Sequence, residues 1–135
     1  MRKEDLVAAA MDMVGTPFHA QASTKGVGTD CIGVMKHVAR SNGVLFRDRV
    51  AYSMRPDGTL KSTLENYLDL VKGEIQAGDI LLMAFDGANP HHVAMYVGNG
   101  EIVHAYAQAR KVVKQTYSDH WKNKVVAVYR FPGVE

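Results

Sequence analysis

The chain has 135 residues, enough for one domain with one hydrophobic core, expected here over residues 1–135. Apolar residues make up 47% and charged residues 22%, an ordinary soluble globular balance in which no apolar run approaches the ~20 residues that span a bilayer. The formal net charge of +2 is too weak and too scattered to indicate nucleic-acid binding, and a single cysteine excludes an intramolecular disulfide.

The N-terminal stretch carries Leu6, Val7, Ala10, Met13 and Val14 at near-helical spacing. Glu4, Asp5 and Asp12 interrupt its apolar run, so it reads as an amphipathic helix rather than a secretory signal. Synthesis and retention in the cytoplasm are therefore expected, unless a larger assembly carries the protein out. A free thiol fits that reducing compartment. Gly15 and Pro17 stop the helix, and "TPFHAQASTKGVGT" (16–29) reads as a Gly-containing loop. Residues 30–41 predict a second helix with Cys31, Val34, Met35 and Val38 on one stripe, closed by Asn42-Gly43. Residues 44–58 read as irregular. "STLENYLDLVKG" (62–73) predicts a short helix opened by a Ser62–Glu65 capping box. The period then changes. Segments 79–85, 92–97, 101–106, 111–117 and 124–131 read as strands separated by Gly, Asn and polar breaks. Helices first and strands afterwards predict an α+β fold, with helices packed on an antiparallel sheet.

Cys31 lies where the second helix begins. A helix N-terminus offers unpaired N–H groups and the positive end of the macrodipole, which favour a thiolate. The competing reading is packing alone, because free cysteine is among the most buried residue types. A cysteine nucleophile needs a base, and the sequence holds six histidines. His37 falls on the far side of the helix from Cys31, which suits a surface role, and His120 beside Trp121 reads as a satisfied surface or core histidine. The informative stretch is "PHHVAMYVGNGEIVHAYA" (90–107), which reads as a hairpin. A two-residue Asn99-Gly100 loop would put His104 on the wrong face from His92. A three-residue Gly98-Asn99-Gly100 loop pairs Val97 with Glu101 and His104 with Ala94, making His92 and His104 diagonal neighbours. That loop is the expectation, with His91 on the opposite face. The pattern suggests Cys31 as nucleophile, His92 as base and His104 as the group that orients His92. A zinc site from Cys31, His91, His92 and His104 is the alternative. The opposed faces of His91 and His92, and the lack of Cys-x-x-Cys or His-x-x-x-His spacing, argue against it, so no metal or cofactor is expected.

"GTPFHAQASTKGVGTDCIGVM", "AGDILLMAF" and "HHVAMYVGNGEIVHA", in that order, resemble the NlpC-type cysteine peptidases, which cleave the peptide stems of bacterial cell wall. The resemblance runs from about Leu6 to Phe131, and the loop "FHAQASTKGVGTDC" further resembles the branch found in phage tails and gene transfer particles. It implies a papain-like core, Cys31, His92 and His104 as the catalytic residues, and the Cys31 backbone N–H in the oxyanion hole. It also implies peptidoglycan stem peptide as substrate and phage tail proteins as partners, with the virion tail as the final location. Asp30 and Gln21 are candidate substrate contacts, with helix capping and loop anchoring as their alternative roles. Two positions depart from the family pattern: Phe18 stands where Tyr is usual, and Ile32 where many relatives have Ser. Phe18, a candidate on the substrate wall, lacks the hydroxyl that helps at the substrate and oxyanion. These departures motivate a second reading, a tail-tip structural or adaptor subunit with little activity. An acyltransferase of the lipid-acting branch is disfavoured, because there the histidine precedes the cysteine.

Overall fold

The computed structural model describes residues 1–44, 59–85 and 89–135, and its architecture is α+β. Helix α1 (Lys3–Asp12) buries Leu6, Ala9 and Ala10, with Glu4 and Asp5 complementing the positive end of the helix. Val14, read from the sequence as part of the apolar stripe, lies past the helix end and is 42% exposed. The segment read as a loop contains a small antiparallel ladder, β1 (Ser23–Thr24) with β2 (Gly28–Thr29).

Helix α2 (Cys31–Ser41) begins where Asp30 caps it, the carboxylate Oδ1 accepting from the Gly33 N–H at 2.9 Å. It ends in a Schellman arrangement: Gly43, at φ 68°, donates to the Arg40 carbonyl (3.3 Å) and Val44 to the Ala39 carbonyl (2.9 Å). The strongly apolar face of α2 buries Cys31, Ile32, Val34, Met35 and Val38. Beyond Val44, the residues read as irregular lie outside the described part.

Helix α3 spans Thr59–Tyr67, which corrects the expected start at Ser62. Leu60, Leu64 and Leu68 form an i, i+4, i+8 row that enters the core together, so the helix begins a turn earlier than its capping-box signature suggests. It also ends earlier, because Asp69–Leu70 leaves the helix to form the short strand β3.

The remaining strands are β4 (Ile80–Met83), β5 (His92–Gly98), β6 (Glu101–Tyr106), β7 (Lys111–Thr116) and β8 (Val125–Arg130). A 3₁₀ turn (Ala107–Ala109) links β6 to β7, and the short helix α4 (Asp119–Lys122) links β7 to β8. The sheet runs in the order β3-β8-β4-β5-β6-β7, antiparallel throughout. β4 is central and buried on both faces. Ile80, Leu82, Val93, Met95, Val103 and Ala105 face the core shared with α1 and α2. Leu81, Met83, Ala94 and Ile102 face the other side, where Trp121 of α4 covers them.

The β5–β6 connection differs from expectation in its route, though not in its facing. Gly98 pairs with Glu101, so the turn is the two-residue Asn99-Gly100 loop, with φ of 54° and 71°. A register shift between Tyr96 and Gly98 then restores the parity that this loop would otherwise break. Met95 therefore pairs with Val103, and one step further along His104 lies opposite Ala94.

Candidate active site

Cys31 is the first residue of α2 and is 3% exposed, within the helix-side core. The backbone N–H groups of Val93, Ile32 and Cys31 itself face its sulfur and favour the thiolate. Burial outweighs them, and the adjacent Asp30 charge adds to burial, so the thiol pKa is pushed up to about 12. The expectation that the helix terminus depresses this pKa is thereby corrected. Desolvating the anion in this packed setting is the larger effect.

His92 opens β5 and His104 lies in β6, on the face opposite α1 and α2, the side that Trp121 of α4 covers. His92 Nε2 and His104 Nδ1 are 2.7 Å apart. On its other side His104 Nε2 lies 2.6 Å from Gln115 Oε1 of β7. Aromatic rings wall this row in. Tyr106 stacks on His104 at 5.3 Å between centroids, Trp121 meets it edge-on at 4.8 Å, and Phe85 lies 5.5 Å from His92. Burial holds the pKa of His92 well below the usual histidine value, with the charges of His104 and His91 acting the same way. Burial lowers that of His104 too, against a raising hydrogen bond from Gln115.

Cys31 and His92 border the same cavity of about 190 Å³, although no hydrogen bond joins them among the described residues. Phe18, Phe85, His91, Tyr106 and Gln108 complete most of its wall. The expectation that His91 faces away is corrected here. His91 precedes the first residue of β5, so strand alternation does not reach it, and its ring sits edge-on to Phe85 at 4.9 Å. A neighbouring cavity of about 290 Å³ shares Phe85, Tyr106 and Gln108 and continues to Trp121 and Lys124.

Of the sequence candidates, Cys31, His92 and Phe18 meet at the cavity, with His104 behind His92. Asp30 and Gln21 are not among the residues that line it. Asp30 is fully buried, its Oδ2 accepting from the Gln21 N–H at 2.7 Å and its Oδ1 capping α2. Gln21 is exposed, at φ 66°. Gln115, Phe85 and Tyr106 were not singled out from the sequence. Among the described residues, no group of three or more His, Cys, Asp or Glu side chains is arranged to hold a metal ion. Nor is any described helix long and apolar enough to cross a membrane.

The site can be set beside known proteins. The gamma-D-glutamyl-L-lysine dipeptidyl-peptidase of Bacillus cereus (strain ATCC 10987 / NRS 248) is 30% identical over 112 residues, covering 81% of this chain and 30% of that protein. Tail tip assembly protein K of Escherichia phage lambda is 33% identical over 55 residues, 41% of this chain and 27% of that protein. The chain thus spans under a third of the length of either curated relative. A crystal structure of an NlpC/P60 family protein from Bacillus cereus ATCC 10987 shares the fold with a TM-score of 0.75 at 23% identity, over 97% of this chain and 40% of that one. The NlpC/P60 family model itself matches residues 15–130, which takes in the Cys31 helix, both histidine strands and β8, and the chain belongs to that family.

Proposed function

We propose that this chain is a cysteine peptidase domain that hydrolyses an amide bond in peptidoglycan stem peptides. In this reading Cys31 is the nucleophile, His92 the general base and His104 the residue that orients His92. One observation carries it: the sulfur at the head of α2 and the His92 ring border one cavity, while the far nitrogen of that ring is held by His104 at 2.7 Å. The substrate class is supported by the Bacillus cereus relative, whose name specifies a gamma-D-glutamyl-L-lysine bond.

Burial pushes the thiol pKa up and the imidazole pKa down, both of which favour a neutral pair over a thiolate–imidazolium pair in this reading. The proton therefore leaves sulfur during attack rather than before it. His92 takes it as sulfur bonds to the amide carbon, and the carbonyl π-pair becomes an oxyanion. In this reading the Cys31 N–H at the start of α2 donates to that oxyanion. His92 then gives the proton to the departing nitrogen, the C–N bond breaks, and a thioester remains on Cys31. Water, deprotonated by His92, attacks the thioester and releases the acid with the thiol restored. Phe18 forms an apolar wall for the substrate, in place of a hydroxyl donor.

The phage lambda relative, a tail tip assembly protein, supports association with tail proteins, and in this reading the virion tail would carry the domain to the wall. A second reading, a tail-tip scaffold with little activity, draws on the buried thiol and on the missing hydroxyl at Phe18. Digestion of purified peptidoglycan separates the two. The peptidase reading expects new amine termini, identified by mass spectrometry, with the wild type and none with Cys31→Ala. Intact wall from a folded wild type would favour the scaffold.

A further inference from the structure

We propose that Gln115 is a positioning residue that sets which ring nitrogen carries the proton in both His104 and His92, an inference that rests on the peptidase reading above. An amide oxygen has no proton and can only accept. The 2.6 Å contact from His104 Nε2 to Gln115 Oε1 therefore puts the His104 proton on Nε2. A neutral imidazole has one N–H, so His104 Nδ1 presents a lone pair. The 2.7 Å contact to His92 Nε2 then requires His92 to donate from Nε2. This leaves the His92 lone pair on Nδ1, the nitrogen that can take a proton from sulfur. Turning the Gln115 amide over would reverse every donor in the row, put the proton on His92 Nδ1, and leave no base facing the substrate.

The fold supports this assignment. Gln115 lies opposite Ile102 and Val113 opposite His104, so Gln115 is the diagonal neighbour of His104 on its own face. His92 holds the same diagonal relation from the other side. Three successive strands thus carry one polar row across this face. His104 is fully buried between Tyr106 and Trp121, so Gln115 is the partner its outer nitrogen has in place of solvent. Both rings are kept neutral by burial, as the single-proton argument requires.

Nitrogen-15 spectra of the histidine rings, taken on the free protein at neutral pH, test this directly. The wild type should show His104 and His92 both protonated at Nε2. Gln115→Leu should mix the tautomers and lower kcat roughly 10- to 100-fold, with KM changed by no more than about twofold. Gln115→Glu also keeps an acceptor oxygen in place and, at a pH where the spectrum shows a single proton on the His104 ring, should restore both the tautomers and most of kcat. Wild-type His92 protonated at Nδ1, or a Gln115→Leu variant with unchanged tautomers and kcat, would overturn the proposal. If Gln115→Leu fails to fold, the wild-type and Gln115→Glu spectra still decide it. Because the spectra need no substrate, they stand apart from the peptidase reading, which fails if the wild type releases nothing from wall.

Discussion

At the scale of single residues, the site is a contest between burial and local dipoles. A thiol at a helix N-terminus invites the reading of a lowered pKa, and three backbone N–H groups do face Cys31. The sequence could not show that this terminus is packed so fully, with Cys31 3% exposed, that desolvation wins. Cys31 alkylation by iodoacetamide should accordingly rise with pH through the range above the ordinary thiol value of ~8.5. A plateau at or below neutral pH would instead show a stable thiolate–imidazolium pair. His92 and His104 were legible because period-2 alternation and one small residue, Ala94, place them together. Gln115 has the same parity as Val113 and Tyr117, yet a lone polar residue on a strand carries no local signal. Only the β6–β7 register, a pairing between distant residues, reveals it.

At the scale of elements, the loop before α2 and the first turn of α2 are one packed unit. A methyl group at Gly33 would run into the Ala22 carbonyl and the Thr29 hydroxyl, backbone and short side chain that have little room to yield. Gly33→Ala should therefore destabilise by roughly 2 kcal/mol in urea unfolding and displace the loop that carries Phe18, raising KM more than a surface substitution would. Wild-type stability in this variant would contradict the packing described. The long strands were readable from alternation and from their Gly and Asn breaks, but β3 was not. It has two residues, both exposed, and exists only because β8 offers it an edge. The β5–β6 hairpin shows a subtler limit. Loop length alone does not fix facing, since a register shift inside β5 reversed the parity that the two-residue turn had set.

At the scale of the whole molecule, the strand order places the last strand, β8, between β3 and β4, an arrangement that no local pattern encodes. One ion pair ties this closure together. Arg130 of β8 donates from Nε and Nη2 to both oxygens of the buried Asp79, at 2.7 and 2.8 Å. Arg130→Met would leave that carboxylate buried without its counter-charge, with the Gln76 N–H still donating to Oδ2 at 2.9 Å, and should lower stability by about 3 kcal/mol, a value reduced by the partial exposure of the guanidinium. A loss within experimental error would contradict its role. The buried histidines give stability a pH dependence of definite sign. Their folded pKa values lie below the unfolded value of ~6.5, so between the two the unfolded chain binds more protons. Their contribution is complete above pH ~6.5 and is lost as pH falls. The urea midpoint should be lower at pH 5.5 than at pH 7.5, and His104→Gln should narrow that gap. The measurement that bears most directly on the central claim is intact-protein mass spectrometry after acid quench of the wild type mixed with a stem peptide. The expected result is an adduct of the acyl half of the peptide, mapped to Cys31 and absent from Cys31→Ala. Turnover without any adduct on Cys31, or equal turnover by Cys31→Ala, would contradict it.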